Sequence, residues 1–425
     1  MKRSFFAVAV LTLVIGGVFF SPPPAQAATI NVDRFDDRFP DPGACTAAAN
    51  DCTLREAVIA ANSDSDNDTV QLQAGTYRLT REISFEANPD DETAGDIEIL
   101  FGITVRGQGA SSTVIRASGL FDRIFDVRGA NVFNARFIDL RLQDGRESAT
   151  GPSGNGGAIR SLNSNASTFL TRVTLVANSS TGTGGAISSV GPLSVVSSTF
   201  TDNHAQSVGD ALVTLGVLSI VNSTFSFNGN GVDEVVRIFG GSSTITGSTF
   251  HHNAVAVLQT GGNLVVTNST FSSNVRGIEV AGAGTQAEIR SVTILDSGIV
   301  GLTMGQDTDV ILINSIVARS FILDCSQGFG SPPFSAGFNL DSDGSCKEKA
   351  TDKTFADPQL GPLANNGGPT LTHVPLPGSP AIDTGVTTGC PATDQRGVTR
   401  PRNGDGLSSA RCDKGAVERK SPAIP

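Results

Sequence analysis

The chain has 425 residues, with 48 Gly, 20 Pro, no Trp, one Tyr and only 17% charged residues, a composition poor in long helical surfaces that excludes helical bundles and coiled coils. Hydrophobic residues make up 39%, including 24 Phe, enough apolar side chain for a real core and too much for wholesale disorder. The net charge of −11, without a Lys/Arg run beyond the first residues, is the wrong sign for coating a phosphate backbone, so nucleic acid is excluded as a partner.

Residues 1–27 read as a signal peptide. Lys2 and Arg3 precede an apolar stretch from Phe5 to Phe20, Pro22 to Pro24 break it, and Ala25-Gln26-Ala27 offers the small residues a signal peptidase requires. Cleavage is expected after Ala27 or Ala28, leaving 28 basic against 41 acidic residues. No second apolar run of about 18 residues follows, so the mature chain carries no transmembrane segment in this reading. It is expected to be secreted or held at the cell surface.

Residues 28–67 read as an N-terminal cap. Thr53-Leu54-Arg55-Glu56 is a Thr-x-x-Glu capping box, and Leu54, Ala57, Val58 and Ala61 form one apolar face of a helix able to cover the end of a coil. Beyond it, Asp64-x-Asp66-x-Asp68 has the first-half spacing of a calcium loop. Thr69 stands where that loop needs Gly and Gly75 where it needs Glu, which excludes an EF-hand. A looser calcium site at Asp64, Asp66 and Asp68 and a polar loop entering the first coil are the two readings; no other cofactor is indicated. Asp341-x-Asp343-Gly344 is read in the same way.

Residues 68–323 are a repeat. Val173-Thr174-Leu175 with Asn178 recurs as Ser198-Thr199-Phe200 with Asn203, Ser223-Thr224-Phe225 with Asn228, Ser248-Thr249-Phe250 with Asn253, and Ser269-Thr270-Phe271 with Asn274. Weaker copies extend it in both directions. Each copy holds three short β-prone runs separated by Gly, Asn or Ser turns, and a single copy cannot bury its own apolar face. Stacked as about ten turns of a single-stranded parallel β-helix, the strands pair with their equivalents about 4.8 Å away and the apolar residues form inward ladders. Parallel crossovers favour the right hand. The recurring Asn residues are expected to form an amide ladder, and the repeat itself generates the Asn-Ser-Thr triplets at Asn222 and Asn268.

Arg160, Arg237, Glu279 and Arg290 are the charges placed on or near outward strand positions, read either as solvated surface or as a groove contacting an anionic polymer. Aligning the histidines with neighbouring copies brings no patch of three acids, or of acid plus base, into view. No catalytic residue is therefore assigned.

Residues 324–425 form a loop-rich C-terminal region. In an exported chain the six cysteines read as disulfides, with the neighbour pairs Cys45/Cys52, Cys325/Cys346 and Cys390/Cys412 favoured among fifteen pairings.

Several of these residues carry a family resemblance. Cys52-Thr53-Leu54-Arg55-Glu56-Ala57, followed by Ala60-Ala61-Asn62 and Gly75-Thr76-Tyr77, resembles the CSLREA domain of exported bacterial proteins, with Thr53 in place of its usual Ser. Pro369-Thr370, Leu376 through Gly385, Asp394-Gln395-Arg396-Gly397 and Cys412 through Glu418 resemble the choice-of-anchor Q domain, and the middle is similar to pectin-lyase-like right-handed β-helix repeats. Members usually continue into a sorting signal, which is not met before Ile424-Pro425. The resemblance implies a secreted or surface protein, with no settled activity to carry over. The expected role is a monomeric extracellular binding or structural module for acidic polysaccharide or another cell-surface partner. A polysaccharide lyase or glycoside hydrolase is the alternative, and a rigid spacer presenting residues 324–425 is the third reading.

Overall fold

In the computed structural model, residues 27–81, 93–148, 154–229, 231, 233–328, 334–346, 349–406 and 409–420 are described. The signal peptide expected at residues 1–27 lies outside them except for Ala27. The chain is an all-β, right-handed parallel β-helix. Among the described residues, three long parallel sheets of 12, 11 and 10 strands run its length, with a short three-stranded ribbon at Arg146–Glu147, Ser179–Ser180 and His204–Ala205.

One rung shows why this sequence coils. Leu193–Val196 lies in the first sheet with Leu193 and Val195 inward, and Thr199–Thr201 lies in the second with Phe200 inward. A loop then leads to Leu212–Thr214 in the third sheet. The corners flanking the second-sheet strand are single left-handed residues, Ser197 at φ 50° and Asp202 at φ 54°. Asn222 and Asn268, the first residues of the two Asn-Ser-Thr triplets, occupy the same corner as Ser197 at φ 50° and 47°, a conformation that Asn tolerates better than most residues. Both triplets therefore have a structural origin. Asn268 is also buried, its amide donating to Thr393 O at 2.8 Å.

Register converts the repeat into ladders. Phe200, Phe225, Phe250 and Phe271 pair in sequence and stack with ring centroids 4.5, 4.7 and 4.8 Å apart, all fully buried. Beside them each ladder Asn uses its whole amide. Asn228 Oδ1 accepts from Asn203 N and Asn203 Nδ2 at 3.1 and 2.9 Å, while Asn228 Nδ2 donates to Phe200 O at 3.0 Å. Asn178, Asn203, Asn253 and Asn274 take part in the same pattern. A parallel ladder of serines runs alongside, in which the Ser198 and Ser223 amides donate to the hydroxyls of Ser223 and Ser248.

The N-terminal end is closed as the capping box requires. Strand β1 (Thr29–Val32) pairs with β2 (Asp68–Leu72), and helix α1 (Leu54–Ala61) packs on both. Glu56 Oε2 accepts from Thr53 N at 2.8 Å, and Thr53 Oγ1 accepts from Glu56 N. Burial alone would raise the Glu56 carboxyl, but bonds from Arg38 and from the Thr53 and Asp41 amides hold it below its ordinary value. Arg55 is 1% exposed; it pairs with Asp37 at 2.9 Å and donates to Gly95 O and Asp96 O at 2.7 and 3.0 Å, tying helix to coil. Disulfides join Cys45 to Cys52, Cys325 to Cys346 and Cys390 to Cys412.

The C-terminal region does not extend from the rod. It folds back along the second sheet, where outward Thr249, Thr270, Ser272 and Thr293 become its docking points. Gln395 accepts from Thr270 Oγ1 at 2.6 Å and donates to Thr249 Oγ1 at 2.9 Å; His373 meets Ser272 Oγ at 2.9 Å, and Ala416 N donates to Thr293 Oγ1 at 3.0 Å. Gly415 passes so close that a Cβ would meet Thr293 Oγ1 at 2.7 Å, which leaves no room for a side chain. Behind this contact, burial and the neighbouring Glu418 push the Asp413 carboxyl up to about 7.

Asn228→Ala is expected to cost about 2–3 kcal/mol, read from the urea midpoint at unchanged slope, because it leaves the Phe200 carbonyl and two Asn203 donors buried and unpaired. The stability advantage of wild type over Asp413→Asn is expected to be greatest below about pH 4 and to shrink as pH rises to about 7. The raised folded pKa means that the folded carboxyl holds its proton where the unfolded one has lost it. Paired thermal melts across that window check the sign.

Candidate functional site

The three faces of the coil differ in what they offer a ligand. The second sheet is covered by the C-terminal region from Thr249 onward. The third carries one outward column whose register runs Glu98, Asp126, Arg160, Ser188, Val213, Arg237, Leu258, Glu279. Arg160, Arg237 and Glu279 thus share a single line along the rod. Each is engaged: Arg160 Nε with Asp126 Oδ1 at 3.0 Å, Arg237 Nη1 with Glu234 Oε1 at 2.8 Å, and Glu279 Oε2 with Arg276 Nη1 at 3.3 Å. Arg160 is also only 7% exposed.

The upper part of this column gathers acids and guanidiniums that the repeat register does not bring into view. Arg123, buried between rungs, contacts Asp96 and Glu147 and lies 3.8 Å from Asp122. Arg128 contacts Glu98 and stands 3.5 Å from Asp126, which Arg160 holds from the next rung. Five carboxylates thus interlock with three guanidiniums. Burial pushes the Asp96 carboxyl above its ordinary value and Arg123 pulls it back, while the surrounding carboxylates raise the Arg123 guanidinium against the effect of its own burial. Each acid in the group has a guanidinium within 4 Å, so the arrangement works as an ionic brace and not as a free base. It escapes the sequence because rungs before residue 160 repeat too weakly to align, and the ion pairs that join the rungs span 24 to 34 residues.

A second acid–base pair is likewise invisible to the register. His204 Nδ1 lies 2.9 Å from Asp210 Oδ1 across the loop that follows the ribbon, and burial raises the Asp210 carboxyl. The half-exposed ring of His204 faces solvent beside a fully buried acid. Only the six-residue spacing across a turn signals it. His252 instead stacks on exposed Phe227, with centroids 5.1 Å apart.

Asp64, Asp66 and Asp68 are not gathered into a ligand set. Among the described residues, no group of three or more His, Cys, Asp and Glu is placed to hold a metal. Asp64 accepts the Asp66 amide at 3.1 Å, whereas Asp68 turns inward at 4% exposure to accept the Ala28 amide at 2.6 Å. Asp341 likewise serves its own turn, accepting the Gly344 and Cys346 amides at 3.0 Å each. Burial pushes its carboxyl up to about 6.

The first sheet stays open. On its distal strands Asn263–Thr267, Gln286–Arg290 and Asp309–Ile313, inward residues alternate with outward ones that reach solvent. A depression of about 290 Å³ lies there, lined by Asn263 and Gln286, Glu288 and Asp309, and the apolar Val265 and Ile311. Arg290 borders it, donating to Glu288 Oε1 at 2.8 Å and to Gly389 O of the C-terminal region at 3.2 Å. Amide and carboxylate groups beside small apolar surfaces suit the hydroxyls and C–H faces of a sugar. Tyr77, the lone tyrosine, is buried beneath the cap and offers no platform.

No family model matches the chain, and no curated protein matches it. Solved structures do. Pectate lyase Pel9A is 13% identical at a TM-score of 0.39, with 93% of this chain and 97% of that one covered. The PL6 family alginate lyase AlyGC is 14% identical at 0.37, covering 81% and 58%, and the mannuronan C-5 epimerase AlgE4 A-module of Azotobacter vinelandii is 15% identical at 0.27, covering 70% and 87%. The right-handed parallel β-helix itself is shown by the chain's own strand order. The chain spans just over half the length of the alginate lyases.

Arg123→Met is expected to lower stability by about 3–5 kcal/mol, since it strands buried Asp96 and Glu147 without their cation. Arg276→Ala, which removes the half-exposed partner of Glu279, should cost under about 1 kcal/mol. Comparable losses in denaturant titrations would deny the column its brace.

Proposed function

We propose that the chain is an extracellular polysaccharide-binding rod whose contact face is the distal part of the first sheet. The depression between Asn263, Gln286 and Asp309 carries this reading, being an open hydrogen-bonding groove on the uncovered face. The ionic column of the third sheet supports the same conclusion by exclusion, because Arg160, Arg237 and Glu279 are held by partners within the chain. With carboxylates at Glu288 and Asp309, the groove favours hydroxyl-rich over densely anionic chains; Arg290 supplies its adjacent positive charge. The leader-like residues Lys2 to Ala27 and three disulfides support export. The C-terminal region lies against the flank of the rod, which argues against a spacer holding it out toward a partner.

A second reading, hydrolysis of the bound chain, is favoured by one observation. Gln286 is in register with Asp309, so Glu288 and Asp309 are diagonal on adjacent rungs, with backbone positions about 8 Å apart. An inverting hydrolase needs carboxyl groups about 6.5–9.5 Å apart, which here requires Glu288 to leave Arg290 and face the groove with Asp309.

Binding is tested by titrating the mature protein against neutral and acidic polysaccharides. Gln286→Ala together with Asn263→Ala should weaken binding of the preferred glycan at least about tenfold, the loss of two or more hydrogen bonds. Unchanged affinity in the double variant, or no binding across the panel, overturns the assignment. New reducing ends that vanish in Asp309→Asn would establish hydrolysis instead.

A further inference from the structure

Asp68 is a buried carboxylate with no cationic side chain in contact among the described residues, a place where a positive charge would be well received. Its Oδ1 lies 2.6 Å from the backbone nitrogen of Ala28. Ala28 immediately follows the small-residue segment Ala25-Gln26-Ala27 and immediately precedes β1. The Ala28 carbonyl accepts from Thr69 N at 2.8 Å, so both backbone groups of this residue are already seated against β2.

We propose that the Ala27–Ala28 peptide bond is the processing site and that the ammonium freed on Ala28 is the missing partner of Asp68. A leader peptidase would hydrolyse that bond with one water, leaving a carboxylate on Ala27 and an amine on Ala28 that takes a proton. The amide contact at 2.6 Å then becomes an ion pair, and β1 is locked as the first rung beneath α1. Before cleavage the same nitrogen is a neutral amide, which gives Asp68 a hydrogen bond but no positive charge. Removal of the leader thus stabilises the cap as well as releasing the chain.

The surroundings suit this role. Asp64 and Asp66, on the loop before β2, add negative charge beside it. The next rung sets Ile103 opposite Asp68. Arg55 and Glu56 of α1 are committed to Asp37 and Arg38. A folded-state amine beside Asp68 titrates above its unfolded value of about 7.7–8.0, so its contribution is fully present below about pH 7.7 and is lost as pH rises through the higher folded value.

Three chains test the proposal: the product exported from the full-length precursor, a chain carrying Gly-Ser ahead of Ala28, and Asp68→Asn processed normally. The exported product should have the intact mass of a chain beginning at Ala28. At pH 7 it should melt at least about 2 °C above the Gly-Ser chain, and that gap should close by about pH 10. Asp68→Asn should melt lower than wild type at pH 7, and that difference should shrink by about pH 10. Cleavage at any other bond, or identical melting of the first two chains at pH 7, overturns the proposal; the Gly-Ser comparison decides even if Asp68→Asn does not fold.

Discussion

Everything in this molecule depends on parallel pairing in constant register, which returns each side chain to the same place on every turn. An isolated three-strand rung has neither a buried face nor partners for its corner amides. Stacking supplies both at once. The phenylalanine column removes ring surface from water, while the asparagine column satisfies backbone groups that the left-handed corners withdraw from the sheets. The two ladders depend on each other through the paired strands, whose spacing lets a ring stack on its successor and an amide reach its own.

This mutual dependence explains what could be read from the amino acids. Phe200, Phe225, Phe250 and Phe271, with their partner asparagines, recur at nearly fixed spacing, so their stacking follows from periodicity alone, as does the closing helix from Thr53 and Glu56. Arg160, Arg237 and Glu279 could be placed outward by strand alternation. Whether they were available could not, since their partners are set by which side chains meet across rungs. The interlocked group around Arg123 was hidden for the same reason, drawing on weakly repeating rungs. The groove beside Asp309 was hidden more simply: its residues are ordinary outward positions, and their importance lies in the other two faces being occupied.

The two terminal segments are dense with buried polar residues, and most of these have structural work. Arg55 ties the helix to backbone carbonyls of the neighbouring coil, and Gln395 bridges the two hydroxyls between which it sits. Lys414, 1% exposed, donates to Asn339 O at 3.1 Å and Thr351 O at 3.2 Å, so an ammonium whose pKa burial lowers to about 8 closes the far end of the coil. Such groups are chosen by geometry because only one arrangement satisfies them.

The folded-back C-terminal region carries a consequence for how such rods can change size. It grips hydroxyls on consecutive turns from Thr249 to Thr293, so inserting or deleting a turn within that span would slide every contact out of phase by one step. Among the described residues, the turns between Arg141 and Ser226 carry no such hydrogen-bonded grip in the second sheet and obey only the stacking rule. Evolution could therefore lengthen or trim this protein in its proximal half while the distal half, with the groove it bears, stays a unit of fixed length.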